Sequence, residues 1–311
     1  MLTRSSGGTT APSSSGISLS VAWLFDNTTT DSTGNYNGYL VNGATYGTST
    51  SCLQRTNATI NIGSTQLLLT KNYFSGYIDN LRIVTRAKSA SEILSDASLI
   101  AYYSFDLPSP NYDSGPNSLH GSSVNTASVT GRVNQAMRFI GSSSYFQAYG
   151  FYQLGYGVYA NRPYSVSIWI NPASTAACAF LQQSTTATGG SCFNMLGLWT
   201  YTGQTAQIIA QGYAWPAIVG PFITINTWIH ISWTFSLANG YALYVNGNYY
   251  GTTGYFSYTG TTGVITWLQL GYNFGCSSQY ITNAAYQGSI DEVYLYNREL
   301  SATEVRTLAN P

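Results

Sequence analysis

Apolar and polar residues alternate along short stretches of this chain, and the stretches are separated by turn-forming residues. Leu19, Val21, Trp23 and Phe25 are apolar at every second position, as are Leu99, Ala101, Tyr103 and Phe105. A period of two turns one face of a segment toward a core, so both are predicted strands. Further strands are predicted over Ala136 to Ile140, Tyr164 to Asn171, Phe193 to Tyr201, Trp228 to Phe235 and Tyr241 to Val245. Asn246-Gly247 follows the last of these and marks a tight hairpin. Strands of this length between frequent turns predict an all-β sandwich of two sheets.

Two of the segments are halves of a repeat. Ile17 to Asp26 matches Leu99 to Asp106, and each is followed by a turn-rich loop, Asp31 to Gly38 in one case and Asp113 to Gly121 in the other. Gly76 to Ile93 likewise matches Gly288 to Val305, where a strand runs through Asp79 or Asp291 into Ser-x-x-Glu, the capping box of a short helix. The opening and closing aspartates are 53 residues apart in the first copy (Asp26 to Asp79) and 185 in the second (Asp106 to Asp291). Three parts follow: a flexible Ser/Thr/Gly linker over 1–16, a truncated module over 17–97 and a complete module over 98–311.

Composition narrows the function. Of 311 residues only 11 are Lys or Arg and 11 Asp or Glu, about 7% against the roughly 25% usual in soluble domains. Nucleic-acid binding needs clustered cations and is excluded as a reading. No run of about 18 apolar residues predicts a membrane span. Scarce Glu and Lys with 27 Tyr favour strands over helices. The four cysteines lack C-x-x-C spacing, which points to a disulfide rather than a zinc or redox motif. Cys178 and Cys192 would close a loop of about 15 residues, worth up to about 3 kcal/mol, with Cys52 and Cys276 unassigned. Sequons at Asn27 and Asn57 agree with secretion. The segment MLTRSSGGTTAPSSSG is no signal peptide, so the reading of an extracellular protein takes Met1 to lie within a longer chain.

The ordered motifs resemble the laminin-G-like, concanavalin A-like jelly-roll superfamily. They are the strand ending Phe105-Asp106, the loop Asp113-Ser-Gly-Pro-Asn117, Ala136 to Phe139, Tyr164 to Ile170 around Trp169, Trp228 to Thr234, Leu243 to Gly247, and Gly288 to Ser301. The resemblance implies two packed antiparallel sheets in a jelly roll, with the first and last strands as neighbours. It also implies a structural Ca²⁺ held by Asp106, Asp113, Asn117 and Asp291, whose oxygen donors suit that ion. Strand alternation puts Asp291 on the face of Val293 and Leu295, where a bare carboxylate is costly unless bound. Gly115-Pro116 departs from the family's loop, in which Gly directly precedes Asn, and an Asx turn is the competing reading of Asp113.

Catalysis finds little support. The glucanases of this fold carry E-x-D-x-E on one strand, and this chain has no such cluster. His120 and His230 are read as structural, and Trp169, Trp228 and Trp233 as framework. Aromatics interleaved with Gly mark candidate ligand contacts at Tyr149, Tyr152, Tyr156, Tyr213, Trp215, Tyr255 and Tyr258. The expectation is a non-enzymatic extracellular recognition module for a neutral glycan or a protein surface. A degenerate glycosidase or sialidase-associated domain and a structural spacer are the alternatives.

Overall fold

The structure is a computed structural model and describes residues 19–23, 60, 62–63, 74–78, 81–152, 154, 161–200, 205–212, 216–258, 263–276, 278, 280–281 and 284–311. The chain divides into two compact units, residues 1–89 and 90–311. The division falls a few residues before the sequence-based boundary at 98, so the helix that closes the first repeat joins the second unit.

In the first unit β1 (Leu19–Trp23) pairs antiparallel with β2 (Leu81–Val84). The second unit opens with α1 (Ala90–Ser98), then β3 (Leu99–Tyr103), β4 (Gly121–Val124), β5 (Thr126–Thr130), β6 (Gln135–Phe139), β7 (Tyr145–Phe151), β8 (Tyr164–Pro172) and β9 (Cys178–Ser184). It continues through β10 (Cys192–Trp199), β11 (Gln207–Gln211), β12 (Ala217–Phe222), β13 (Ile229–Ser236), β14 (Gly240–Val245) and β15 (Asn248–Thr252). It ends with β16 (Thr266–Leu270), β17 (Ala284–Ala285), β18 (Gly288–Tyr296) and α2 (Ala302–Leu308).

These strands form two eight-stranded sheets. One, the β9 sheet, has the order β12-β11-β10-β9-β16-β7-β4, with β17 added to β9. The other, the β18 sheet, has the order β15-β14-β13-β8-β18-β6-β5, with β3 added to β18. The all-β jelly-roll expectation therefore holds, and the first and last strands of the module are neighbours. Pairs Tyr103–Val293, Tyr102–Tyr294, Ala101–Leu295 and Leu99–Tyr296 join β3 to β18, with a register shift before the last. In the first unit Trp23–Leu81, Ala22–Arg82, Val21–Ile83 and Leu19–Val84 follow the same steps, with a shift at the equivalent place.

The core is what alternation requires. From β8, Tyr164, Val166, Ile168 and Ile170 point inward, and from β13 Ile231, Trp233 and Phe235 do the same. They meet Phe146, Phe180, Ile208, Leu268 and Leu270 of the opposite sheet. Each such side chain contributes roughly 1.5–3 kcal/mol on burial. Part of the outer face of this sheet is covered too: α2 packs Val305 and Leu308 with Tyr244 of β14, Tyr296 of β18 and Leu300. Helix α2 begins at the capping box read in the sequence, Ser301 with Glu304, and Arg298 clamps the Glu304 carboxylate at 2.6 Å.

Cysteine pairing differs from the expectation. Cys192 is bonded to Cys276, and Cys178 is a buried thiol. Cys178 and Cys192 stand at opposite ends of the β9–β10 hairpin, opposite Leu198 and Ser184 respectively, and Cys178 faces the core. Proximity in sequence here means the far ends of one ladder. Cys52 lies outside the described residues.

Candidate functional site

The four residues expected to share a cation come from strand β18 (Asp291) and from the connection between β3 and β4 (Asp106, Asp113 and Asn117), and they enter two different hydrogen-bond networks. Asp291 Oδ2 accepts from the backbone N–H groups of Arg132 (2.7 Å) and Val133 (3.0 Å), and its Oδ1 from that of Glu292 (2.9 Å). Asp106 holds the same β5–β6 loop through the Gln135 N–H at 2.9 Å. Asp113, further along the same β3–β4 connection as Asp106, accepts from Tyr102 N, Gly115 N and Leu119 N at 2.7–2.9 Å. Asn117 uses its amide to donate to Ile100 O. N–H groups aimed at carboxylate oxygens are the complement of an anion and stand where a cation would compete with them. Asp113 and Asn117 are thus tied to one network and Asp106 and Asp291 to another, and among the described residues no group of three or more His, Cys, Asp and Glu is placed to hold a metal ion.

The alternation argument for Asp291 also needs correction. Ile290, Val293 and Leu295 face the core. Between the pairs Asp291–Trp169 and Tyr294–Ser167, β18 contains one extra residue, with Glu292 at φ +50°. This bulge inverts the count and puts Asp291 on the outer face beside Trp169, whose indole N–H reaches Leu308 O. The carboxyl is nonetheless fully buried, because the β5–β6 loop lies on it and the Arg132 guanidinium covers Trp169 at 4.7 Å. A Cβ at Gly131 would come within 2.6 Å of Asp291 Oδ2, so close approach requires glycine there. Burial pushes the Asp291 carboxyl up to about 7, with Glu292 adding to it and the three N–H bonds opposing. Glu292 is buried and accepts from the hydroxyls of Tyr102 (2.8 Å) and Tyr294 (2.5 Å), whose rings stack at 4.2 Å.

Both histidines make hydrogen bonds within the fold. His230 Nε2 meets Ser167 Oγ at 2.7 Å, with Ser232 donating to the same oxygen, and burial lowers the imidazole to about 3. Among the described residues no carboxylate meets its Nδ1, and the ring is fully buried. His120 accepts from the Asp113 N–H and stacks on exposed Tyr112 at 4.3 Å.

The aromatic candidates divide. Tyr149, Tyr152 and Tyr255 are 48%, 51% and 71% exposed. Tyr258 is not a surface residue: it is 3% exposed and packs on Phe235. Tyr156, Tyr213 and Trp215 lie outside the described residues. Tyr149 is the one set in a built surface. It lies 5.0 Å, ring to ring, from Trp267 on the outer face of the β9 sheet. The next row of that face is made of amides, Gln147 of β7 opposite Gln269 of β16, which is opposite Gln182 of β9, which is opposite Asn194 of β10. Continuing the β4–β7 register by one residue from the Gly121–Ala148 pair brings His120 level with Tyr149. Trp267, Gln147 and Gln269 were missed from sequence, although Tyr145, Gln147, Tyr149 and Trp267, Gln269 are the polar phases of two alternating strands.

Charge is absent from this half of the molecule. From Pro163 to Ile290 the chain holds no Asp, Glu, Lys or Arg, and neither do β4 and β7. Residues 121–306 match the family model of the concanavalin A-like lectin/glucanases superfamily. The chain belongs to that superfamily. Among solved structures, this superfamily member is similar to domain 4 of AbnA, an extracellular GH43 arabinanase from Geobacillus stearothermophilus in complex with arabinotriose. The likeness has 20% identity and a TM-score of 0.50, over 68% of this chain and 98% of that one. The binding domain of Paraclostridial Mosquitocidal Protein 1 is similar at 14% identity and TM-score 0.50, over 69% of this chain and 52% of that one. These likenesses are of fold. No curated protein matches the chain.

Proposed function

We propose that the second unit is a non-catalytic carbohydrate-recognition domain of an extracellular protein, taking uncharged glycans on the outer face of the β9 sheet. The observation that carries this reading is the Tyr149–Trp267 pair, partly open to solvent and bordered by the partly exposed amide of Gln147 in a charge-free sheet. Aromatic faces pack against the apolar face of a sugar ring while neighbouring amides hydrogen-bond its hydroxyls. Lack of cations leaves nothing to neutralise a carboxylated or sulfated sugar. The likeness to a domain solved with arabinotriose supports the ligand class, and the Cys192–Cys276 disulfide supports an oxidising compartment. The test is calorimetric titration of the intact chain with arabinotriose, cellotriose and mannotriose beside sialyllactose and a heparin trisaccharide. Binding to a neutral member, weakened about tenfold or more by Tyr149→Ala, is expected. Preference for the acidic members, or turnover of any of them, would sink the reading.

A further inference from the structure

The amide row on the outer face of the β9 sheet has a direction, and its direction is fixed by backbone. Gln269 Nε2 lies 2.9 Å from the carbonyl oxygen of Ala187, which can only accept, so this nitrogen is placed unambiguously. Gln269 Oε1 then takes the hydroxyl of Ser184 at 2.9 Å and Gln182 Nε2 at 2.6 Å. The second bond of Gln269 Nε2 goes to Gln147 Oε1 at 3.3 Å. Gln147 is thereby turned with its oxygen inward, and its Nε2 has no partner among the described residues. At the other end, Asn194 Nδ2 is fixed by the Cys276 carbonyl at 3.1 Å. There the unfilled atoms are acceptors, Gln182 Oε1 and Asn194 Oδ1, on residues opposite each other in the β9–β10 ladder. Gln182 and Gln269 therefore both donate along the row toward the strand that carries Tyr149.

We propose that Gln147 Nε2 is the ligand-facing donor of this site and that buried Gln269 is the positioning residue that aims it. The ligand group beside Tyr149 is thus an acceptor oxygen of an uncharged sugar, a ring oxygen or a hydroxyl accepting. This deepens the carbohydrate reading above and rests on it for the ligand. The wiring itself is a property of the free protein.

Two measurements separate the two. In the free, ¹⁵N-labelled chain, side-chain amide hydrogens of Gln269 and Gln182 are expected to exchange with solvent at least about tenfold more slowly than those of Gln147. Equal exchange, or a protected Gln147, overturns the wiring. With whichever of the three neutral trisaccharides binds, Gln147→Met and Gln269→Met are each expected to weaken affinity about tenfold, and the double variant no further than either alone. A role for Gln269 in folding alone predicts additive losses, and that outcome overturns its positioning role. Melting curves of the variants identify any loss that comes from unfolding. If none of the trisaccharides binds, the carbohydrate reading and the ligand role of Gln147 fall together, while exchange still decides the wiring.

Discussion

The two sheets of the second unit treat their outer faces in opposite ways. The β18 sheet carries Arg138, Asp291 and Glu292 and hides much of its outer face under α2 and the β5–β6 loop. Its carboxylates are structural anchors, Asp291 accepting three N–H bonds and Glu292 two O–H bonds. The β9 sheet carries no formal charge and leaves the Tyr149–Trp267 pair beside solvent. Scarcity of charge in this chain is thus a division of labour. Ionic groups hold loops on one face, and neutral polar groups are kept for the other.

The largest effect that sharpens this contrast is expected at Asp291. Asp291→Ala leaves three buried N–H groups without acceptors, at about 1–3 kcal/mol each, and should lower stability by roughly 3 kcal/mol or more in chemical denaturation. A change below 1 kcal/mol would break the anchor account.

Next comes pH. Because burial raises the Asp291 carboxyl to about 7 in the fold, the native state binds its proton more tightly than the unfolded chain does. Its contribution to stability is fully present at low pH and is lost as pH rises from about 4 through about 7. Asp113 and Glu292, both raised by burial, act in the same sense. Glu304, lowered to about 2 by Arg298, acts oppositely and only in acid. Stability measured from pH 4 to 8 should therefore fall by on the order of 1–3 kcal/mol, and less steeply in Asp291→Asn. A wild-type profile that rises over this range would refute the burial argument.

A smaller effect is expected on the neutral face, where Tyr149→Ala should change stability by no more than about 1 kcal/mol while weakening glycan binding. A collapse of the fold would make Tyr149 an anchor like Asp291 and erase the contrast. The smallest is a null: with the aspartates filled by N–H donors, chelator in calcium-free buffer should leave the melting temperature unchanged. A fall of several degrees would restore a cation to the site.

Most of the sandwich was legible because alternation is a local signal, and β8, β13 and β14 alternate without interruption. The pairing of first with last strand was implied by the family resemblance, and the matching segments β1 and β2 pair in the same register. Legibility ended where one residue shifts a count. The bulge at Glu292 reverses the facing of Asp291, and period-two reasoning cannot see an inserted residue. Cys178 and Cys192 were close in sequence but separated by the length of a hairpin. Trp267 and Gln147 stood in plain alternation. Their adjacency depends on β16 lying between β9 and β7, an order that only the assembled sheet reveals.

Strand β18 sits in the interior of its sheet, joined to β3, β6 and β8, yet it spans residues 288–296. A chain growing from its N-terminus on the ribosome must wait for this segment before those three neighbours can be knitted together. Until then Val166, Ile168 and Met137 lack the strand that closes their sheet, and β3 must meet a partner about 190 positions away. Such distant pairing is slow and leaves apolar edges open meanwhile. The long stretch without charge offers few residues to keep those edges apart, so the same neutrality leaves the unfinished sheet open to association between chains.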